Sequence, residues 1–446
     1  MERVWSALCT AVRAANQALG GQPRPEAIAL SCRGGSGVWL DANLHVLPVP
    51  SYELAAAEVQ ATINDLYAQP IWGEKGPFAY GYAPAAIGRS VWLRRHEPEI
   101  WAQVARSGSL HDWILLRLTG AWITDPASAA GGYDWPEAAL DLTGLPPGAF
   151  PESMPQEQIA GVLTGEATRD LDLPTGTPVV VGCHDGVAAN IGTGVVRRGD
   201  ACITLGSNLV VRTVTGAPLP DCFGYPILSD RWAWVRGAHG IAAQIDAVVG
   251  VLDGGGDPVT PERHATLTET ALAIDAMPTG LEMPTLPRGF DEERRQQARD
   301  ALAAGFSPGQ IYRATLESAA NSIAELVNVA RRDGAECRRY VVTGAAAAND
   351  LLLRLLSATL DAPIEIGDNE AGLRGAAVLA ALGAELFPDV DRAIATMVPP
   401  GRSIAASPDD RASLIRSNRW TAPDTSAAPG DALRRMRHAS LGTTDE

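Results

Sequence analysis

Asp185 stands in PVVVGCHDGVAANIGTG, just past an apolar, strand-like run and at the start of a helical stretch. A carboxylate at such a point either caps the helix N-terminus or serves as an exposed catalytic group, because open α/β sheets present their chemistry at the carboxyl ends of strands. The pairs His184-Asp185 and His111-Asp112 raise another reading, a metal-dependent phosphohydrolase of the His-Asp type. That chemistry needs further ligands on facing helices, whereas His184 follows a strand. Further along, ACITLGSNLVV holds two strand-like runs around Gly206-Ser207-Asn208. A turn this small either closes a plain hairpin or lets backbone N–H groups and a hydroxyl approach phosphate oxygens. In VVTGAAAANDLLLRLL the chain runs from a strand through Gly344 and four alanines into a helix. Small residues there admit either a flat adenine ring or close packing of helix on sheet.

The elements that must position these residues follow from hydrophobic periodicity. Val4, Leu8, Val12, Ala15 and Leu19 are spaced as an opening helix that Gly20-Gly21 ends. AIALSC reads as a strand, and GVWLDANLHVLPV as a hairpin around Asp41, Ala42 and Asn43. Residues 86 to 119 read as largely helical, with Trp92, Trp101 and Trp113 as core. From residue 177 short apolar runs alternate with glycine-rich turns. Ser307-Pro308-Gly309-Gln310 is a capping box that opens a long helix ending near Gly334. RYVVTG, DLLLRLLSATL, APIEIG and a helix from Ala371 continue in strand and helix alternation, the pattern of α/β architecture.

The chain has 446 residues, with 36 basic and 52 acidic side chains, so its formal charge is −16. That length predicts two or three domains with ordinary cores. The negative balance argues against a nucleic-acid partner, and no apolar run is long enough to span a bilayer. Cys9, Cys32, Cys183, Cys202, Cys222 and Cys337 show no CxxC pairing and read as buried free thiols, which predicts a reducing, cytoplasmic setting.

Taken in order, the three stretches resemble the FGGY family of carbohydrate kinases, over about residues 5 to 400. Asp185 with Ala188-Ala189 is similar to the family's Gly-Asp-x-x-Ala-Ala, Leu205 to Asn208 to its Leu-Gly-Thr-Ser phosphate loop, and Gly344 to Asn349 to its adenosine motif. Glu370 to Ala377 resembles its C-terminal signature. Trp92 to Ile100, and Asp112-Trp113 followed by RLTGAWITDPASAAG, look most like the xylulokinase branch.

The resemblance implies a two-domain, actin/hexokinase-like (ribonuclease H-like) α/β fold with a central cleft. The expected division is 1–198 for the sugar-kinase domain, 199–421 for the nucleotide-binding domain and 422–446 for a disordered tail. It implies an ATP-dependent sugar kinase that uses Mg²⁺ and acts on a pentulose or related polyol, with a homodimer compatible with that reading. Asp185 would be the general base, His184, Arg33 and Glu53 would meet the sugar, and Gly206, Ser207, Asn208, Gly344, Ala345 and Asn349 would meet the nucleotide.

The chain also departs from the family pattern. No Asp-x-Gly-Thr strand end precedes Val4, and the first aspartate is Asp41. Against the family, the opening strands and one phosphate loop are expected to be missing, which favours an alternative: a member that binds nucleotide or sugar without efficient transfer. Arg33 to Ser36 and Pro50 to Glu53 differ from the family's sugar-contact stretches. RGFDEERRQQARD stands where the family has Gly-Glu-Arg-x-Pro, and its charges read as a solvated helix face.

Overall fold

A computed structural model describes residues 1–21, 24–34, 37–49, 56–80, 82–128, 135–206, 208–252, 254, 259–274, 281–285, 290–408 and 410–411. The expected tail therefore lies outside the described residues. The contacts divide the chain into two units. The first comprises Met1–Val196, Gly216–Ala233 and Glu370–Pro399, and the second Arg197–Thr215, Trp234–Asn369 and Pro400–Glu446.

In the first unit the apolar run after Thr177 becomes the strand Pro178–His184, the middle of a three-stranded sheet. It pairs in parallel with Ile28–Cys32 and antiparallel with Ile159–Val162. Its buried Val179 and Val181 pack with Leu30, Leu40, Trp113 and Leu115, so this strand is part of an apolar core. The opening helix, Glu2–Ala18, docks by two polar anchors. Trp5 Nε1 donates to Asp170 Oδ2 at 2.8 Å, and Asn16 Nδ2 donates to the carbonyls of Leu171 and Asp172.

The hairpin expected around Asp41 is reduced to a single bridge between Leu40 and Val46. Asp41 Oδ1 accepts from the N–H groups of Asn43 and His45, and Leu44 turns through φ +67°, which opens the turn. The strand Gly37–Leu40 pairs instead with Arg106–Ser109, a strand inside the stretch that reads as helical from sequence. The flanking helices Ala83–His96 and Leu110–Thr119 do form, and Trp92 and Trp113 are buried.

In the second unit the strands Asn208–Thr215, Asp200–Leu205, Arg339–Thr343, Ile364–Ile366 and Arg402–Ile404 follow one another across a sheet. The pairs from Asp200–Leu205 to Arg339–Thr343 and on to Ile364–Ile366 are parallel, as the alternation with helices requires. The Ser307 capping box is present, and the 25-residue helix it opens, Pro308–Arg332, buries Ile311, Leu316, Ile323 and Val327.

RGFDEERRQQARD gives the helix Asp291–Ala303, but its face is not wholly solvated. Arg294 is only 1% exposed; its Nη1 donates to Pro284 O at 2.7 Å and to Gln297 Oε1 at 2.9 Å, and burial lowers its pKa to about 10. Among the described residues no helix is long and apolar enough to cross a membrane. All six cysteines are free thiols, five buried and Cys337 half-buried.

Candidate functional site

The Pro178–His184 strand does not run straight into the helix Asp185–Gly192. Ala29 pairs with Val180 and Ser31 with Cys183, so Val181 and Gly182 together oppose Leu30. Such a bulge bends a strand and re-aims the residues beyond it. It requires Gly182, whose φ is +74°. Past the bulge Cys32 pairs with His184, which brings Arg33 and Asp185 to neighbouring strand ends.

His184, not Asp185, caps the helix. Its Nδ1 accepts the Val187 N–H at 3.1 Å, and the ring is buried at 1% exposure. The Asp185 side chain is 68% exposed, and its carboxylate lies 4.0 Å from His184 Nδ1, a nitrogen whose lone pair already takes the Val187 N–H. The capping alternative therefore falls to the preceding residue, and the carboxylate stands out from the helix end.

Around His184 gathers an aromatic wall that is not apparent from sequence. The His184 ring lies 4.2 Å from Tyr225 and 5.6 Å from Tyr82 between centroids, and Tyr82 lies 5.2 Å from Phe223. Tyr225 is buried at 1% exposure, whereas Tyr82 and Phe223 are half-buried. Only the aromatic residue types themselves could have drawn attention to them, since about 140 residues separate Tyr82 from Phe223. Of the expected sugar contacts, Arg33 is exposed at the strand end, and Glu53 lies outside the described residues.

In the second unit the Leu205 and Leu209 backbones pair antiparallel, so Gly206 turns a hairpin. Ser207 lies outside the described residues, and Asn208 opens the following strand. Gly344 has φ +98°, and a Cβ on it would sit 2.6 Å from Leu205 O. The two expected nucleotide turns are thus in backbone contact, through a position that admits no side chain. Ala345 is exposed in a short 3₁₀ turn, Ala345–Ala348.

Asn349 is already engaged. Its Oδ1 accepts the Leu352 N–H at 3.0 Å, capping the helix Asp350–Leu360, and its Nδ2 donates to Tyr312 Oη at 2.8 Å. Tyr312 Oη also lies 3.1 Å from His264 Nδ1, whose Nε2 lies 3.0 Å from Asp246 Oδ1. This relay from Asp246 to Asn349 joins three helices to the turn, and no spacing in the sequence announces it.

Among curated proteins the chain is 24% identical to the autoinducer-2 kinase of Enterobacter sp. (strain 638) over 423 residues, 86% of this chain and 76% of that protein. It is 28% identical to the xylulose kinase of Streptomyces rubiginosus over 282 residues, 59% and 56% of the two chains. The crystal structure of xylulose kinase from Rhodospirillum rubrum matches with a TM-score of 0.73 at 20% identity, over 98% of this chain and 90% of that one. That likeness shows the two-domain, actin/hexokinase-like α/β fold. The FGGY N-terminal domain matches residues 1–192 and the FGGY C-terminal domain residues 283–384. With both domains matched over most of its length, the chain belongs to the FGGY family of carbohydrate kinases.

Proposed function

We propose that this chain transfers the γ-phosphate of ATP to a hydroxyl of a small sugar, a pentulose or related polyol, with Asp185 as general base. The observation that carries the reading is the standing of that carboxylate. It follows a bulged strand end, is 68% exposed, and leaves the capping of its helix to His184. A base so placed accepts the hydroxyl proton as the oxygen attacks phosphorus, a contribution of about 100- to 10,000-fold.

The surroundings support a sugar. Arg33 offers guanidinium donors for hydroxyls, and the rings of Tyr82 and Phe223 offer apolar surface for a C–H face. The relatives named above are kinases by name, one of them of xylulose, which supports the substrate class. On the nucleotide side, the contact between Gly344 and Leu205 fits a cradle made of backbone, where N–H groups meet phosphate oxygens. Gly206, Gly344 and Ala345 would line it, and Asn349 would hold the turn in shape through Tyr312. Mg²⁺ bound with the nucleotide would offset phosphate charge, while the chain's own residues orient the sugar hydroxyl and take its proton.

The test is a coupled ADP-release assay over D-xylulose and other pentuloses, sugar alcohols, glycerol and gluconate, with calorimetric binding of each. ADP release on one of them, lost in Asp185→Asn, is the expected result. Binding of sugar or nucleotide with no turnover on any of them would turn the reading to a binding protein, and full turnover in Asp185→Asn would remove Asp185 as base.

A further inference from the structure

His111, Asp112 and Asp125 form a cluster with no solvent exposure at all. The His111 Nε2 lies 3.0 Å from the carbonyl oxygen of Val181, one of the two residues of the bulge that precedes Asp185. A carbonyl only accepts, so this nitrogen carries a proton and donates. The other ring nitrogen, Nδ1, faces Asp112 Oδ1 at 3.5 Å and Asp125 Oδ2 at 3.7 Å. Among the described residues these three atoms have no hydrogen-bond partner, so what joins them is the approach of charge to charge.

Both carboxylates are themselves fixed. Asp112 Oδ2 accepts the Ser109 N–H at 2.6 Å in the capping box of the helix Leu110–Thr119, and Asp125 Oδ1 accepts the N–H groups of Ala127 and Ser128 at 2.9 and 3.0 Å. A neutral ring would turn a lone pair on Nδ1 toward two acceptors, whereas the imidazolium turns a proton toward them. Burial pushes the His111 pKa down, but the two carboxylates and the Val181 carbonyl outweigh it, and the pKa stands above the ordinary histidine value. The neighbouring titratable groups on the two parallel strands are the Cys32 and Cys183 thiols, which burial pushes up and keeps neutral. No group of three or more His, Cys, Asp or Glu among the described residues is arranged to hold a metal ion.

We infer that His111 is a positioning residue for phosphoryl transfer: its charged ring, clamped by Asp112 and Asp125, pins the bulge at Val181 and Gly182 and so sets the direction in which Asp185 leaves the strand. The inference rests on the reading of Asp185 as the base. Val181 and Gly182 also donate their N–H groups to the carbonyls of Gln158 and Gln156, so the bulge is held from one side by backbone and from the other by His111. Loss of the charge leaves the sheet intact and slackens the strand end.

His111→Gln retains an N–H for Val181 and removes the charge. Asp125→Asn retains an oxygen for Ala127 and Ser128 while weakening the clamp. Each is compared with the wild type by coupled ADP release on the fastest sugar of the panel, scaled to folded protein. Each is also compared by deuterium exchange of the 178–192 segment from neutral to alkaline pH, corrected for intrinsic rates. In His111→Gln, kcat falls about ten- to hundredfold, the cost of a small misplacement of a reacting group, while both KM values stay within about twofold. In Asp125→Asn, the alkaline fall in kcat and the opening of 178–192 to exchange begin at lower pH than in the wild type. Unchanged kcat per folded molecule, or exchange that is identical in the three proteins at every pH, overturns the inference. Asp185→Asn separates the two claims: full activity there removes the base, and the exchange profiles then decide alone whether His111 pins the bulge.

Discussion

The end of the Pro178–His184 strand is built of side chains: an exposed carboxylate, a buried imidazole as cap, three aromatic rings and a buried ion cluster. The turn at Gly344 is built of backbone, and the side chain of Asn349 spends its groups on the helix cap and on Tyr312. The contrast matches the chemistry each region would serve. Removing a proton needs one basic atom in one place, whereas holding a polyanion needs several N–H groups and no side chain in the way. The first region should therefore fail by loss of a functional group, and the second by gain of a methyl.

The largest expected effect is that of Asp185→Asn, which lowers kcat by about 100- to 10,000-fold while Tm changes little, because the helix cap is His184. A large fall in Tm with activity spared would place Asp185 among the structural residues and erase the contrast. Next is Gly344→Ala, where forcing a Cβ into φ +98° against Leu205 O costs on the order of 1–3 kcal/mol and raises the KM for ATP more than that for sugar. Equal rises in both KM values would show the turn to be a general support. Tyr82→Ala removes one ring of the wall, so the KM for sugar rises about tenfold, as expected for loss of an aromatic contact, with the KM for ATP unchanged.

The smallest effect is one of pH. His111 has a folded pKa above its unfolded value of about 6.5, so its contribution to stability is complete below that pH and is lost as pH rises through the raised value. The Tm difference between wild type and His111→Gln should accordingly narrow toward alkaline pH in thermal melts. Gly344→Ala should keep a constant difference over the same range.

The strand and helix alternation of the second unit was legible because each element carries its own signal: Ser307 to Gln310 as a capping box, Arg339–Thr343 and Ile364–Ile366 as short apolar runs. Asp185 was legible for the same reason, as a charged residue at the junction of two such signals. The features that escaped are set by packing between distant segments. The strand Arg106–Ser109 has no apolar alternation, and only the partner Gly37–Leu40 makes it a strand. Arg294 reads as a surface charge until Pro284 O is placed beside it. Tyr82 and Phe223, and likewise His111 and Val181, meet across long stretches of chain, so neighbouring residues give no hint of either pair.

Cys32 and Cys183 lie in adjacent registers of the two parallel strands that end at Arg33 and Asp185. A thiol this close to a functional strand end is a liability wherever it ionises, because peroxide, alkylating agents and disulfide exchange all act on the thiolate. Here burial pushes Cys32 up to about 12 and Cys183 well above its usual value, and the nearby carboxylates push the same way. At physiological pH neither sulfur carries the charge that an oxidant needs. The strand ends beneath the proposed base are thus chemically quiet, and oxidative stress should bypass them until the sheet itself opens.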